Sequence, residues 1–331
     1  MSARRLRIGA GLSLSGRHAR FGRQAAAALD VWRTWDGAAD LVVEDDRGDP
    51  RELAAALERL APTCDILLGP YSTHLMRTAG DVAAELDRLI WNHGGSGDDV
   101  EAAHPGHIVS VPTPTSRYAE PFVRHIARDR ETGRLWLVHG KGSFGRQVVA
   151  GAEATARAVG VDTVRIAPGD EPPVAGHLFS AGSFDEDVET VRRARQALRP
   201  PRTLCAVAAG VREFGAAIDD AEGIYGVGQW FPGGGHTVAL GPAEADFTAA
   251  FQRHAGFPPD YPAVQAAATA VIAAHCARFA GGTDRELHWA AAAELHTTTL
   301  FGAFEIDPCT GAQTGHEAIL TRWMRNGLTA A

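Results

Sequence analysis

Short apolar runs alternate with longer amphipathic segments along most of the chain, and this alternation constrains the fold more than any other feature. Early in the chain "RLRIGAGLSL", "ADLVVEDD" and "CDILLGP" each have the pattern of a buried strand. A segment with apolar residues at helical spacing follows each of them. Strands that alternate with helices of this length predict βαβ units and a parallel sheet.

The alternation begins again after residue 118, with strand patterns such as "RLWLVHG" (134–140) and "TLCAVAAG" (203–210) around a helical segment at 144–160. A chain of 331 residues is too long for one ordinary core and comfortable for two. We therefore predict two α/β lobes in tandem. Joins near 113–118, 230–236 and 297–302 indicate that the chain passes between the lobes more than once.

Four loops follow predicted strands: "GPYST" (69–73), "NHGGSG" (92–97), "HGKGSFG" (139–145) and "AAGVREFG" (208–215). Ligands of open parallel sheets bind beyond the carboxyl ends of the strands. The first loop carries an aromatic ring and two adjacent hydroxyls, which is more than a turn requires. Two lobes facing each other across a hinge would bring these four loops around one cleft.

Charge and cysteine usage exclude several classes of protein. The net charge is −8 and the basic residues are dispersed, so we expect no nucleic-acid partner. The four cysteines show no CxxC spacing, and Cys64, Cys205 and Cys276 lie in apolar segments, which indicates buried free thiols.

No pattern in the sequence indicates a metal or another cofactor. The acidic stretch "EDDRGDP" (44–50) lacks the spacing of a calcium loop, and Asp49 is expected to cap a helix that begins at Pro50. The histidines show no HExxH spacing. We expect no metal and no cofactor.

The N-terminal "MSARRLRIGAGLSLSG" is basic but lacks the apolar core of a signal peptide, and no segment has the length and apolarity of a membrane span. The sequence as it stands therefore predicts a cytoplasmic protein without membrane insertion. If the chain is a trimmed form, the expectation becomes a periplasmic or extracellular one.

Several segments together resemble the type 1 periplasmic-binding-protein fold, in the branch of Leu/Ile/Val-binding and amide-binding receptors that includes ABC-transporter substrate-binding proteins. They lie in the family's order across nearly the whole chain, at 8–30, 44–60, 65–91, 133–160 and 219–230. The resemblance implies an α/β fold of two Rossmann-like lobes with parallel sheets, joined by a three-stranded hinge.

The resemblance also implies a division of the chain. The first lobe is expected to comprise 1–115 plus 236–298, and the second lobe 116–235 plus 299–331, with the ligand in the cleft between them. The long apolar helix at 261–282 is expected to be a core helix of the first lobe.

The resemblance assigns ligand-binding positions. In the first lobe these are Phe21, Tyr71, Ser72, Thr73, Asn92, His93, Gly94, Gly95 and Ser96. In the second lobe they are Phe144, Val211 and Arg212.

The family's hydroxyl falls on Ser72 or Thr73, with Thr73 as the preferred match, and Tyr71 would line the cleft. Backbone groups of Gly94 and Gly95, with the Ser96 hydroxyl, would hold a carboxylate or amide. Hydroxyls and exposed amides near a helix N-terminus suit such groups, and flanking aromatic rings supply an apolar wall.

One departure from the family concerns the acidic residue that pairs with the ammonium group of an amino-acid ligand. Only "FGAAIDD" separates "AAGVRE" from "AEGIYG", so the stretch that carries this residue is largely missing. No acidic residue can be assigned there, which weakens the case for a ligand with a free α-ammonium group.

We therefore predict non-catalytic binding of a small polar metabolite such as an amino acid or an amide. The protein would act as a cytoplasmic sensor or as an ABC-transporter-type solute-binding protein, with a permease or a regulatory protein as partner. A homodimer is left open. The alternatives are a hydrolase that uses a Ser/His pair in the same cleft, although no GxSxG elbow is present, and a degenerate scaffold that no longer binds a ligand.

Overall fold

The computed structural model of the protein describes residues 5–331 apart from 38, 129–132, 168–169, 171–175, 199, 235–236 and 282–283. The chain forms two compact units. Unit 1 comprises Met1–Thr113 and Pro232–His316, and unit 2 comprises Pro114–Phe231 and Glu317–Ala331. The chain thus passes from one unit to the other three times.

The third crossing between the units lies later in the chain than expected, between His316 and Glu317. Residues 299–316, which we assigned to the second lobe, belong to unit 1. The Gly311 carbonyl accepts a hydrogen bond from the Ser110 amide at 3.0 Å, and the Gln313 side chain donates to the Val111 carbonyl at 3.1 Å. These bonds hold the segment against the end of the unit 1 sheet. The expected boundary at 235–236 falls outside the described residues.

The strands, in chain order, are β1 (Leu6–Leu12), β2 (Ala39–Asp45), β3 (Ile66–Leu68), β4 (Ile90–Asn92), β5 (Ile108–Ser110), β6 (Leu135–His139), β7 (Thr163–Ile166), β8 (His177–Ala181), β9 (Thr203–Ala206), β10 (Tyr225–Gly228), β11 (Thr297–Thr299), β12 (Gly302–Phe304), β13 (Ile319–Met324) and β14 (Gly327–Ala330).

The α-helices are α1 (Ala19–Asp36), α2 (Pro50–Leu60), α3 (Thr73–Glu85), α4 (Val100–Ala103), α5 (Glu120–Arg128), α6 (Ser143–Val159), α7 (Phe184–Gln196), α8 (Phe214–Ala217), α9 (Glu244–Ala255), α10 (Tyr261–Ala280) and α11 (Arg285–Glu294). Two 3₁₀ turns lie at Thr115–Arg117 and Val207–Gly210.

The main sheet of unit 1 has five parallel strands in the order β2-β1-β3-β4-β5. Helices α2 and α3 cover one face, where Leu53, Leu57, Leu75 and Ile108 are fully or almost fully buried. Helix α2 begins as expected, because Asp49 accepts hydrogen bonds from two amides of its first turn and Pro50 takes the first helical position. All strand carboxyl ends of this parallel sheet lie at one edge, and that edge carries the loops of interest.

Helix α10 is the core helix of unit 1, as expected. Fifteen of its twenty residues are buried, and most of these are alanine, which allows neighbouring elements to approach closely. Among the described residues this helix is long and apolar enough to cross a membrane, but 78% of its apolar window is buried inside the structure. The apolar composition of α10 is explained by its burial against neighbouring elements of unit 1.

Unit 2 contains a seven-stranded sheet in the order β14-β13-β10-β9-β8-β6-β7. Strands β6 to β10 run parallel, and the C-terminal hairpin β13-β14 adds to β10 in the antiparallel direction. Apolar clusters lie on both faces, around Phe122 and Phe179 on one side and around Leu178 and Phe214 on the other. Both units therefore have the expected α/β fold with parallel sheets.

The expectation of buried free thiols is confirmed. Cys64, Cys205 and Cys276 are free and buried, and burial raises the pKa of each of these thiols. Cys309 is free and exposed.

Candidate functional site

The first two candidate loops of unit 1 are joined by backbone and side-chain hydrogen bonds. Tyr71 and Gly94 form an isolated parallel β-bridge, in which the Ser72 amide donates to the Gly94 carbonyl at 3.1 Å. The Thr73 hydroxyl accepts from the Gly97 amide at 3.0 Å. The loops after β3 and β4 thus form one structure at the carboxyl edge of the sheet.

Ser72 has an unusual backbone conformation at the centre of this structure. Its φ of 94° lies in the region that favours glycine, and such a conformation costs on the order of 1–3 kcal/mol. Its hydroxyl oxygen accepts from the Leu75 amide at 3.3 Å and so caps α3. The cap and the bond to Gly94 hold the residue in this conformation.

Asn92 organises the glycine-rich loop from inside. Its side-chain oxygen accepts from the amides of Gly94 and Gly95 at 3.0 and 2.8 Å. Its side-chain nitrogen donates to the Gly95 carbonyl at 2.6 Å and to the Ser110 hydroxyl at 2.7 Å. The backbone amides that we expected to hold a ligand are therefore already bonded to Asn92.

We expected Asn92 and His93 to touch a ligand. Both are completely buried, so neither is positioned to do so. Neither ring nitrogen of His93 has a hydrogen-bond partner among the described residues. Burial lowers the pKa of His93 to about 4, so the ring is neutral at pH 7. The Asn92 side chain supports the loop from within unit 1, and the His93 side chain is buried in the same unit.

Three hydroxyl groups remain able to donate a hydrogen bond at this edge. Ser72 and Thr73 use their oxygens as acceptors, so each keeps its own proton for another acceptor. Ser96 is half-buried and its hydroxyl makes no hydrogen bond with any part of the chain that the structure describes. The arrangement can therefore offer several hydroxyl donors to one small polar group.

An aromatic cluster lies beside these hydroxyls. The ring of Tyr71 stacks on that of Phe21, with centroids 4.0 Å apart and an interplanar angle of 12°. The Tyr71 hydroxyl is hydrogen-bonded to that of Tyr261, and the ring of His18 lies 5.9 Å from Tyr71. Phe21 lies inside the first turn of α1, which begins at Ala19.

Two arginines lie beside the cluster. The Arg20 guanidinium lies over the Phe21 ring, 4.3 Å from its centroid, and Arg17 donates to His18 at 2.9 Å. Burial and the nearby charges of Arg17 and Arg20 lower the pKa of His18 to about 4, so this ring is neutral at pH 7. The arginines supply the positive charge of this region.

His18 and Tyr261 were not among the positions predicted from the sequence. His18 is the N-cap residue of α1 and lies three residues before Phe21. A prediction that α1 begins at Ala19 places both residues in the same turn. Tyr261 follows Asp260, which caps α10 by accepting from the Tyr261 amide at 2.8 Å. The Asp-Tyr-Pro sequence therefore indicates a helix start, but it does not predict that Tyr261 lies beside Tyr71.

A buried carboxyl group supports the Asn92 loop. Glu101 in α4 accepts a hydrogen bond from the Ser110 hydroxyl, which in turn accepts from Asn92. Burial raises the pKa of Glu101 to about 7; the Ser110 hydroxyl opposes this rise, and Asp98 and Asp99 add to it. The chain of bonds links a titratable group to the candidate loop.

We expect Glu101 to make the stability of the protein depend on pH. The folded state holds the proton up to about pH 7, whereas an ordinary glutamate releases it near 4.5. Its stabilising effect is therefore complete below about pH 4.5 and is lost as the pH rises through 7. Glu101→Gln keeps an acceptor for Ser110 without the charge. We expect this variant to match the native protein at pH 4.5 and to exceed it by on the order of 2–3 kcal/mol at pH 8.

Urea unfolding between pH 4 and pH 8 measures this difference. Glu85→Gln is the matched control, because Glu85 is exposed at the end of α3. Equal pH profiles for the two variants would show that Glu101 is not the titrating group.

The expected positions in unit 2 lie at the carboxyl ends of its strands. Phe144 is in the first turn of α6 after β6, half-buried, with its ring edge-on to Tyr118 at 5.6 Å. Val211 follows the 3₁₀ turn after β9 and is half-buried, whereas Arg212 is exposed. Strand β8 lies between β6 and β9 in the sheet. The role of Phe144, Val211 and Arg212 in binding remains a prediction.

Two observations on the described residues concern metal binding and the hydrolase alternative. The described part of the chain holds no group of three or more His, Cys, Asp or Glu side chains that could bind a metal. The hydroxyls of Ser72, Ser96 and Ser143 are not hydrogen-bonded to any histidine in the described residues, and that of Ser72 caps a helix. A general base beside a serine is the first requirement of the hydrolase alternative.

A family model of periplasmic binding proteins matches residues 5–175. The chain belongs to the periplasmic binding protein family. No curated protein matches the chain. Membership of this family agrees with the parallel sheets described above and with the resemblance noted in the sequence.

Solved structures of the same fold cover nearly the whole chain. The leucine-binding protein LivK of Thermotoga maritima has a TM-score of 0.79 and 14% identity, over 98% of this chain and 97% of LivK. LivJ of Streptococcus pneumoniae, a branched-chain amino acid substrate-binding protein solved with isoleucine, has a TM-score of 0.75 and 14% identity, over 99% of both chains. A solute-binding protein of Rhodopseudomonas palustris, solved with 3,4-dihydroxybenzoic acid, has a TM-score of 0.78 and 16% identity, over 98% of this chain and 94% of that one. At these identities the likeness shows a common fold, that of type 1 periplasmic binding proteins.

Proposed function

We propose that this periplasmic binding protein is a non-catalytic receptor for a small metabolite with a carboxylate or amide end. The observation that carries the proposal is the joining of the two loops of unit 1, which brings hydroxyl donors beside a stack of aromatic rings. Closure of the second unit over the ligand, with Phe144, Val211 and Arg212 as contacts, is part of the proposal.

The polar end of the ligand would bind Thr73 and Ser96, with Ser72 beside them. Hydroxyl protons at the N-terminus of α3 favour an oxygen acceptor, and the helix dipole favours negative charge there. Arg17 and Arg20 add positive charge, whereas the His18 ring is neutral at pH 7 and adds none. A carboxylate or amide oxygen meets these conditions.

The apolar part of the ligand would lie against Tyr71 and Phe21. Their stacked rings form a rigid wall, and the hydrogen bond to Tyr261 fixes the orientation of Tyr71. An aliphatic or aromatic side group therefore fits beside the polar end. The missing acidic stretch of the second lobe favours ligands without a free α-ammonium group, such as amides and aromatic acids.

A thermal-shift screen against amino acids, short amides, ureas and aromatic carboxylates tests the proposal, because a ligand of the folded state raises the melting temperature. The affinity for each hit is then measured by calorimetry. Thr73→Val and Ser96→Ala should each weaken binding about tenfold or more. Thr73→Ser keeps the hydroxyl and should bind like the native protein.

Thr78→Val is the matched control, since Thr78 lies five residues further along α3. Binding lost equally in this control would point to damage of the helix. The absence of any hit across the panel would favour the degenerate scaffold, and turnover of an amide or ester would favour the hydrolase.

Variants of Tyr71 separate its ring from its hydroxyl. Tyr71→Phe keeps the stack on Phe21 and removes the bond to Tyr261, so we expect the dissociation constant to rise by a few-fold. Tyr71→Ala removes the wall, and we expect a loss of about a hundredfold, as for other buried aromatic contacts. Calorimetry with the best hit of the screen measures both, and equal losses in the two variants would contradict the role of the ring.

Family membership supports a role as the binding component of an ABC-type uptake system, with a permease as partner. A sensor that signals to a regulatory protein is the alternative. Uptake of the identified ligand by cells that lack the gene distinguishes the two roles. If the protein serves uptake, these cells should take up less ligand, and the native protein should restore uptake whereas Tyr71→Ala should not. Uptake that is unchanged by loss of the gene would favour the sensor.

A further inference from the structure

Unit 1 contains a cavity that is separate from the hydroxyl loops. Its volume is about 670 Å³, within the usual range for small-molecule sites. The last turns of α1, the turn at 240–242, α9 and α10 form its walls. All of its lining residues belong to unit 1 and to the described part of the chain.

The cavity lies at the opposite end of α1 and α10 from the aromatic cluster. These helices run side by side in the same direction, because Phe21 meets Tyr261 near their N-terminal ends and Asp36 pairs with Arg278 near their C-terminal ends. Trp35 lies fourteen residues beyond Phe21 in α1, which is about 21 Å along a helix. One ligand of metabolite size cannot occupy both places.

Two indole rings line the cavity. Trp32 is almost fully buried, whereas Trp35 is 41% exposed and packs against Phe247 with ring centroids 5.9 Å apart. Leu240 and Val271 add aliphatic surface. A planar apolar group can therefore lie against a tryptophan that is already held in place.

The face of α9 that lines the cavity carries one charge of each sign. Asp246 and Arg253 are seven residues apart, so they lie on the same side of the helix about 10 Å apart along its axis. Ala249 lies between them and leaves room above the helix. Neither charged side chain makes an ion pair or a hydrogen bond with any described residue.

Two other charged side chains that line the cavity are paired with each other. Asp36 and Arg278 form an ion pair with each other, in which the Asp36 side chain is only 9% exposed. His275 lies on α10. Apart from the His275 imidazole, the groups that face the cavity without an ion pair are thus the Asp246 carboxylate and the Arg253 guanidinium, which together match a zwitterion.

We propose that this cavity is a second ligand site, specific for an aromatic zwitterion of the size of an aromatic amino acid. The ligand carboxylate would pair with Arg253 and its ammonium with Asp246, above Ala249. The aromatic ring would lie against Trp35. The proposal is independent of the function proposed for the hydroxyl loops.

Calorimetry of the full chain with three probes tests this. L-tryptophan carries both charges, indole-3-propionate only the negative charge, and tryptamine only the positive one. We expect L-tryptophan to bind at least tenfold more tightly than either of the others, because each of these leaves one protein charge unpaired. Equal affinities for the three probes would overturn the proposal.

Variants locate the binding. Arg253→Gln and Asp246→Asn should each weaken L-tryptophan binding about tenfold, and Trp35→Ala at least as much. Arg33→Gln is the matched control, because Arg33 is an exposed arginine of α1 outside the cavity. The three cavity side chains are exposed, so the variants should fold, and their thermal midpoints verify this.

Tyr71→Ala distinguishes the two sites. It should leave L-tryptophan binding unchanged, and Arg253→Gln should leave binding of the screening hit unchanged. L-tryptophan binding that is lost in Tyr71→Ala and kept in Arg253→Gln would assign it to the hydroxyl loops and overturn the second site. The absence of saturable L-tryptophan binding at millimolar concentration would also overturn the second site. If Trp35→Ala changed the sedimentation of the protein but not its L-tryptophan binding, the cavity would be a contact between copies of the chain, and the proposal would again be overturned.

Discussion

Asn92→Ala is expected to abolish ligand binding and to lower the free energy of unfolding by about 3 kcal/mol or more. The fully buried Asn92 side chain forms four hydrogen bonds, to the amides of Gly94 and Gly95, the Gly95 carbonyl and the Ser110 hydroxyl. Alanine leaves these groups without their partner in a buried loop, and each unsatisfied group costs about 1–3 kcal/mol. The loop would rearrange to reach water, and Ser96 would move with it.

Asn326→Ala is the matched control. Asn326 lies in the exposed turn between β13 and β14, and the chain has no other asparagine. Urea unfolding and calorimetry with the best ligand of the screen measure the two effects. A result for Asn92→Ala within 1 kcal/mol of the control, with binding intact, would show that the loop holds its shape without this side chain.

Gly22→Ala is expected to cost about 3 kcal/mol or more and to displace Phe21. A methyl group at Gly22 would overlap the backbone of Ser13 at the end of β1, lying 2.5 Å from its carbonyl carbon and closer still to the oxygen. The Ser13 backbone has little room to retreat, because its buried hydroxyl donates to Asp46 at 2.6 Å. The first turn of α1 would have to move away from the sheet, at a cost at or above the usual 1–3 kcal/mol for an overpacked core.

Gly80→Ala is the control for this substitution. Gly80 is also a buried glycine inside a helix, but the added methyl would meet side-chain atoms of Ile108 and His104 at 2.7 and 3.0 Å. Side chains can move where backbone cannot, and alanine gains about 1 kcal/mol of helix propensity over glycine. We expect a change below about 1.5 kcal/mol. Equal losses in urea unfolding would mean that the Ser13 backbone yields as easily as a side chain.

The elements most accurately predicted from the sequence are those whose determinants are local. Helix α2 is one of them, because the Asp49 cap, Pro50 and the apolar period all lie within twelve residues. Strand β8 is harder to predict, because His177 and Ser180 interrupt its apolar run. These two side chains are satisfied by Thr203 and Asp187, partners that become apparent only in the folded sheet.

The candidate site divides in the same way. The loops themselves were recognised from their hydroxyls and glycines, but the proximity of Tyr261 to Tyr71 depends on packing across 190 residues. The internal role of Asn92 has a local signal in the sequence. An asparagine before two glycines often accepts hydrogen bonds from the backbone amides that follow it, and here it does so.

The division of unit 1 into two chain segments has a consequence for synthesis. All five strands of its main sheet lie within the first 113 residues, but α10, which packs beside α1, follows only at Tyr261–Ala280. At about 5–20 residues per second, a ribosome needs roughly 10–30 s between the end of β5 and the end of α10. During that interval the nascent sheet exposes apolar surface while the whole inserted segment of unit 2 emerges. The growing chain is therefore a natural substrate for chaperones that bind early apolar surface, and slow translation would prolong its exposure to aggregation.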